Sequence, residues 1–481
     1  MSRINTNVSS LIAVSTLNKN NANLNVSLQR LSTGYRINSG KDDPAGLIAS
    51  ESLRAEQTAT TTAISNAQRA DNIIGTAEGS LSEISNLLVS LQGLVGDAAN
   101  KAGLSQDEKD ADQLQVDSIL STINRISNAS SFEGVKLLNG TYDYSTSGLS
   151  TTSAFTSVSI NSAKVGSATL SVSVGVITSS QTAQLNFLGS SSGLNGAAAL
   201  SLAGNTGTVQ LSFASSTKSS AIVASVNQFK DSTGVQATLS SDDKTVLFAS
   251  TGYGASQFIT VSSNNATAFT AKDSAGVSTS TDFGRNATLS INGTAVQSDG
   301  LKVKVVTANL EADLTLNSNF NTVGTNKTFG VTGGGATFSL GAQVNTANGA
   351  SIGLGNINTG SIGKTVSGGN LYSLADLGSG KTAAVNSGDT GLAQNVVNQA
   401  IKDVAGLRGR LGAFQKNVLG STINALNVAL ENVASSNSAI RDTDFATETS
   451  NLTRNQILVQ AAGSVLSQAN SAPQSVLRLL G

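Results

Sequence analysis

Between Ala70 and Ala98 apolar residues return in alternating steps of three and four. Ala70, Ala77, Ile84, Leu91 and Ala98 share one heptad position, and Ile74, Leu81, Leu88 and Val95 share the other. The spacing predicts a helix on the order of 40 Å long, at about 1.5 Å per residue. A rod this thin cannot bury its stripe alone, so other helices must lie alongside it.

Two further stretches supply partners. "LQVDSILSTINRISNA" places Val116, Ile119, Ile123 and Ile126 on one face. "NVVNQAIKDVAGLRGRLGAFQKNV" repeats Val397, Val404, Leu411 and Val418 beside Ala400, Leu407 and Phe414. After Val418 the stripe moves to Leu419, Ile423, Leu426, Leu430 and Val433, which reads as the drift of a straight helix away from a strict seven-residue repeat. Seams near both ends of the sequence imply that head and tail share one bundle.

From about residue 146 to 385 the composition turns to Ser, Thr, Gly and Ala, and short alternating runs such as "TVQLSFAS", "KTVLFAS" and "QFITVSS" predict strands. Asn292-Gly293, between two such runs, is the dipeptide of a type I′ hairpin, in which both central residues take positive φ. A helix over Ser219–Phe229 adds a mixed α/β module. The fold class is α+β and multidomain: a long coiled-coil-like helical bundle formed by the N- and C-terminal regions, with a β-rich central insert of two subdomains.

Both extremities are amphipathic. Leu17, Leu24 and Leu31 repeat by seven with Leu11 and Leu28 alongside, and Ile457, Leu458, Val465 and Leu466 form the matching stripe at the other end. In "LQRLSTGYRINSGKDDPAG", Gly34 is a helix C-cap, Asp43 an N-cap and Pro44 a first-turn proline, so the stretch is a hinge between two rods. The large apolar side chains of the arms are too few to offset the ordering of their backbone. The arms are therefore expected to fold when copies pack side by side. A head-to-tail contact between copies gives a filament if it does not close and a ring if it does.

Composition excludes several roles. With 29 basic against 30 acidic residues there is no basic field for nucleic acid or an anionic membrane. The absence of cysteine and histidine removes thiol nucleophiles, imidazole bases and the commonest zinc ligands, so no catalytic residue, metal or cofactor is expected. Asp42 with Asp43, and Asp442 with Asp444, read as helix caps in preference to a carboxylate pair or a cation site. The N-x-S/T triplets at Asn7, Asn25 and Asn451 fall on predicted assembly helices, where a glycan would block packing. No apolar run reaches spanning length, and no cleavable leader is recognisable at the N-terminus.

The residues also carry a resemblance. "LQRLSTGYRINSGKDDPAGLIASESLRA" at the head and "RDTDFATETSNLTRNQILVQAAGSVLSQANSAPQSVLRLL" at the tail resemble the terminal regions of bacterial flagellin, and "TAEGSLSEIS", "FEGVKLLNG" and "LGAFQKNVLGSTINALNVALENVASSNSAIRDTDFA" continue the likeness. The resemblance implies a subunit that polymerises with many copies of itself into the extracellular flagellar filament used for swimming. Residues 1–45 with 440–481 would form the inner tube, 46–145 with 386–439 the helical rod, and 146–385 the variable surface insert. Asn38, Asp42, Asp43 and Pro44 would lie in the connection between layers, flanked by Arg30, Arg36 and Arg441 to Asp444. It further implies export through the flagellar type III channel, an export chaperone covering Leu458 to Leu480, and contacts with cap and hook-junction proteins. Val89 to Asp97, "VSLQGLVGD", departs from the charged run that the vertebrate flagellin receptor contacts, since Ser90, Gln92 and Gly93 replace those charges. Recognition by that immune receptor is therefore expected to be weak or absent. The alternatives are a hook-filament junction or surface adhesion protein of the same kind and, third, an enzyme with a carboxylate site in the insert. The last lacks the concentration of acidic and aromatic residues that a sugar-cleaving cleft needs.

Overall fold

The computed structural model describes residues 6–100, 103–149, 154–165, 169–189, 193–241, 243–273, 275–345, 348–367, 370–386 and 388–480, with side chains as far as Ala472. Its helices are α1 (Val8–Thr33), α2 (Pro44–Ala98), α3 (Gln106–Ala129), α4 (Ser219–Gln228), α5 (Lys230–Thr233), α6 (Thr390–Ala413), α7 (Ser421–Arg441) and α8 (Phe445–Leu480). A π-helical turn, Phe414–Gly420, joins α6 to α7. The chain divides into two compact units: Met1–Asp71, Ser339–Asn348 and Lys416–Gly481 form one, Asn72–Phe338 and Gly349–Gln415 the other.

The second unit holds the main helical core. Ile74, Leu81, Ile84, Leu88, Leu91 and Val95 of α2 are fully buried, as are Val404, Leu407 and Leu411 of α6, and Phe414 just beyond it is largely buried. The two helices run antiparallel, tied by Arg408 to Glu78 at 2.9 Å and by Gln92 to Asn398 at 3.1 Å. Asp389 starts α6 by accepting the N–H groups of Gly391 and Leu392, and Ser105 starts α3 in a capping box with Glu108. The buried line of α3 runs through Gln113, Val116, Leu120, Ile123 and Ser127, leaving Ile119 and Ile126 only half-buried. Its polar members are matched: Gln113 donates to the Leu377 carbonyl at 2.9 Å and accepts from the Val385 N–H at 2.8 Å, and Ser127 donates to the Leu138 carbonyl. These bonds fasten to α3 the segment that leads from the insert into α6.

Among the described residues the insert contains two separate cores, each enclosed by antiparallel strands. In the first, a five-stranded sheet (order Thr294–Gln297, Thr288–Ile291, Leu170–Thr178, Asn326–Gly334, Tyr144–Ser147) and a three-stranded sheet (Lys302–Val306, Leu310–Leu316, Phe155–Ala163) enclose Val172, Val174, Leu289, Val305, Leu314 and Phe329. Asn292 (φ 49°) and Gly293 (φ 86°) form its hairpin turn between Ile291 and Thr294, as a type I′ dipeptide requires. The second core lies between two four-stranded sheets, with α4 contributing Ile222 and Val226; Phe187 and Phe269 stack in it at 4.0 Å.

The π-turn corrects one sequence expectation. The stripe does not drift beyond α6; it steps. Phe414 and Leu419 are both buried, five residues apart. In an α-helix such a pair would point about 140° apart, at about 100° per residue, whereas an i→i+5 turn brings them to one side. Drift accumulates gradually over several heptads. Here the phase changes within a single turn.

Candidate assembly surfaces

In the first unit α1 and α8 form an antiparallel pair. Asn7 donates to the Ala469 carbonyl at 2.8 Å, Asn20 to the Leu458 carbonyl at 3.2 Å, and Asn455 to the Ser27 hydroxyl at 3.2 Å. Arg30 meets the buried carboxylate of Glu448 at 3.7 Å. The inward line of α1 is Ala13, Leu17, Asn20, Leu24, Ser27 and Leu31, and that of α8 is Glu448, Leu452, Asn455, Val459, Ala462 and Leu466. Small and polar residues take the most buried positions, while the leucines are half-buried.

The other arm residues singled out in the sequence lie outside that line. Leu11, Leu28, Ile457, Leu458 and Val465 are exposed, Leu11 to 63% and Ile457 to 62%. Ile12, Val14 and Val26 join them. A groove of about 280 Å³ along the pair is lined by Ile12, Ala13, Thr16, Leu458, Ala461 and Val465. The leucine repeat read in the sequence thus splits: Leu17, Leu24, Leu31 and Leu466 turn inward, and Leu11, Leu28, Ile457, Leu458 and Val465 are exposed at different positions around the outside of the pair.

The hinge is a built joint. Gly34 ends α1 at φ 76°. Its carbonyl accepts the Thr443 N–H at 2.9 Å, and the Arg36 N–H donates to the Arg441 carbonyl at 2.7 Å, so the outgoing and returning strands are zipped together. Arg441 lies over the Tyr35 ring and reaches Glu51 at 3.3 Å, while Ile37 is fully buried. Asn38 donates its side-chain amide to the Tyr35 carbonyl. Asp42 accepts the N–H groups of Ser39 and Asn38 and the Ser39 hydroxyl, bonds that hold its carboxyl below the usual range. Asp43 caps α2 through the Gly46 N–H at 2.9 Å, with Pro44 at the first helical position. Asp444 caps α8 through Thr447 and Ala446, with its pKa likewise lowered. Beyond the joint, Ser50 bonds Asn437 at 2.9 Å, aligning α7 with the first half of α2.

Arg30–Glu448 and Tyr35–Arg441 were not foreseeable as pairs, because each joins residues about four hundred positions apart. Among the described residues no helix is long and apolar enough to cross a membrane.

The helical regions match known proteins in order and extent. Residues 4–143 match the bacterial flagellin N-terminal helical region, and residues 394–480 the bacterial flagellin C-terminal helical region. The chain is 31% identical to Flagellin D of Vibrio anguillarum over 478 residues, spanning 99% of each. It belongs to the bacterial flagellins. A flagellin of Salmonella rubislaw is 32% identical over 527 residues, again across 99% of both chains. Residues 199–251 match the flagellin hook IN motif, a module the sequence announced only through its short helix between strands. Among solved structures, FliC from Burkholderia pseudomallei covers 72% of this chain and 98% of its own, with 15% identity and a TM-score of 0.23, too low a score to relate the two residue by residue. This flagellin is a structural subunit of the helical flagellar filament used in swimming, and it works outside the cell in that filament.

Proposed function

We propose that the exposed apolar side chains around the α1–α8 pair, Leu11 and Leu28 with Ile457, Leu458 and Val465, are the surfaces through which copies of this flagellin pack into the filament core. The observation that carries this reading is the disposition of the arms: five large apolar side chains are exposed on a pair whose most buried α1 positions are Ala13, Asn20 and Ser27, with the inward leucines only half-buried. A helix pair with so little buried apolar area is marginal alone and gains most from neighbours. On this reading the arms fold on assembly, the joint from Asn38 to Pro44 connects the core layer to the rod layer, and residues 146–385 face the medium.

Family membership supports three finer inferences. The subunit leaves the cell unfolded through the flagellar type III channel. An export chaperone covers the C-terminal helix from Leu458 onward, a site whose side chains past Ala472 lie outside the described residues. Cap and hook-junction proteins meet the same terminal surfaces at the filament's two ends.

Electron microscopy and sedimentation of purified protein after seeding test the central reading. Intact subunits should form long helical tubes. A version trimmed of Met1 to Gly40 and Asp442 to Gly481 should stay soluble and folded; trimmed subunits that polymerise equally well would refute it.

A further inference from the structure

Charge is unevenly placed along the two arms. The charged residues of α1 are Lys19 and Arg30, and those of α8 as far as Ala472 are Glu448 and Arg454. Arg30 meets Glu448, which leaves Lys19 and Arg454, both exposed, as cations with no ion pair among the described residues. Arg454 borders a hollow of about 520 Å³ with Ser450, Thr453, Ile457 and Leu458. It therefore stands beside two of the apolar side chains through which copies are proposed to pack.

The joint shows the opposite need. A cavity of about 460 Å³ there is lined by Ser438, Asp442, Thr443, Asp444, Thr447 and Glu448. Arg36, also on its wall, spends its guanidinium on the Ile440 carbonyl at 2.7 Å. Asp442 is engaged by the Ser438 hydroxyl, and Asp444 by the first turn of α8. Glu448 differs: it is only 6% exposed, and its carboxylate accepts no hydrogen bond among the described residues, with Arg30 at 3.7 Å as its ion-pair partner. The Thr443 hydroxyl oxygen is buried without a partner as well. A carboxylate so enclosed and so lightly paired is costly until further donors reach it. Among the described residues no three acidic groups come together to hold a metal ion, so the cation that suits this wall is a side chain.

Glu448 and Arg454 cannot satisfy each other within one copy. They stand six residues apart on one helix, about 9 Å along its axis and about 240° around it. We propose that the joint cavity receives the Arg454 guanidinium of a neighbouring copy, which pairs with Glu448 and donates to the Thr443 hydroxyl; the inference rests on the packing of copies through α1 and α8 described above. A planar fork of donors suits a carboxylate beside a hydroxyl, whereas a lysine supplies only a point charge. Donor and acceptor lie at different places on the same chain, so the contact is head-to-tail and repeats along a polymer.

A double-mutant cycle on the full chain tests this, read as the critical concentration for polymerisation. Arg454→Gln and Glu448→Gln should each raise it about tenfold or more, and the double variant should be within about threefold of the poorer single. Two single effects that multiply in the double variant would overturn the proposal. So would Arg454→Gln polymerising at the wild-type concentration, or coupling of Glu448→Gln to Lys19→Gln in place of Arg454→Gln. Cross-linking gives a reading that damage to the joint cannot imitate. The chain has no cysteine, so filaments of the variant carrying Thr447→Cys and Thr453→Cys, treated with a short bifunctional thiol reagent, should yield a ladder of covalent oligomers, and filaments yielding none would also overturn it. Leu11→Ala and Ile457→Ala judge the packing surface separately. If they raise the critical concentration while the cycle shows no coupling, the surface reading stands and this pairing falls; if neither raises it, the surface reading falls, and the cycle still judges the pairing.

Discussion

The guanidinium of Arg441 sits 4.5 Å from the ring centre of Tyr35, across the joint that links the outgoing and returning strands of the chain. The same residue accepts the Arg36 N–H through its carbonyl and bonds Glu51 through its head group. One side chain therefore ties together three segments: the strand after α1, the start of α2 and the end of α7. Tyr35→Leu should cost the joint about 0.5–1 kcal/mol, the range for a partly exposed cation–π contact. Thermal unfolding of the soluble subunit, compared with Tyr35→Phe, measures it, and Tyr35→Phe should be close to neutral.

Gly34 sits in the same joint at φ 76°, with open space where a Cβ would project. Gly34→Ala should therefore cost about 1–2 kcal/mol through backbone conformation alone. Denaturant dissociation of the assembled filament checks this, and a cost near zero there would mean the joint does not hold Gly34 in the left-handed region.

Acid should open the joint by a defined route. Asp42 and Asp444 have carboxyls whose pKa values are lowered below 3.8 by hydrogen bonds from Ser39 and Asn38 and from Thr447 and Ala446. A depressed carboxyl stabilises the folded form fully above its ordinary pKa and loses that contribution as pH falls through the lower folded value. Stability of the joint should thus be flat near neutrality and decline below about pH 4. The double substitution Asp42→Asn, Asp444→Asn should flatten that decline, as followed by circular dichroism against pH.

Buried and exposed leucines should separate two kinds of failure. Leu81→Ala or Leu88→Ala removes a fully buried side chain from α2 and should lower subunit stability by about 2–5 kcal/mol. Leu11→Ala and Ile457→Ala touch exposed side chains and should shift subunit stability by no more than about 0.5 kcal/mol while raising the critical concentration for polymerisation. Paired melting and sedimentation data decide between the two behaviours.

In α2 Ser90 and Gly93 are exposed and uncharged, and Gln92 is drawn to Asn398. A receptor reporter assay on purified protein should therefore give a weak response or none from the vertebrate flagellin receptor, and a strong response would show that the charges are not needed.

Legibility followed the physics of burial. The heptads of α2 and α6 could be read because their seams are apolar and almost wholly enclosed, so period and burial coincide from Ile74 to Val95. The arms could be read as amphipathic, but not divided into faces. Periodicity finds Leu11 and Leu17 alike, and only the packing of Ala13, Asn20 and Ser27 against α8 separates the inward leucines from the outward ones. Gln113 and Ser127 on α3 were invisible because a buried polar residue looks like a surface one until its partner, the Leu377 or Leu138 carbonyl, is placed. The five-residue step from Phe414 to Leu419 is present in the sequence, yet a phase change has two explanations, gradual and abrupt, and the backbone alone distinguishes them. Asn292-Gly293 was legible because its turn depends on local conformation.

Whether the arms acquire lasting structure from their neighbours is tested most directly by amide hydrogen exchange on subunit and polymer. Amides from Leu11 to Leu31 and from Ile457 to Leu466 should exchange rapidly in the free subunit and become strongly protected in the filament, while those from Ile74 to Val95 are protected in both. Equal protection of the arms in the two states would contradict it.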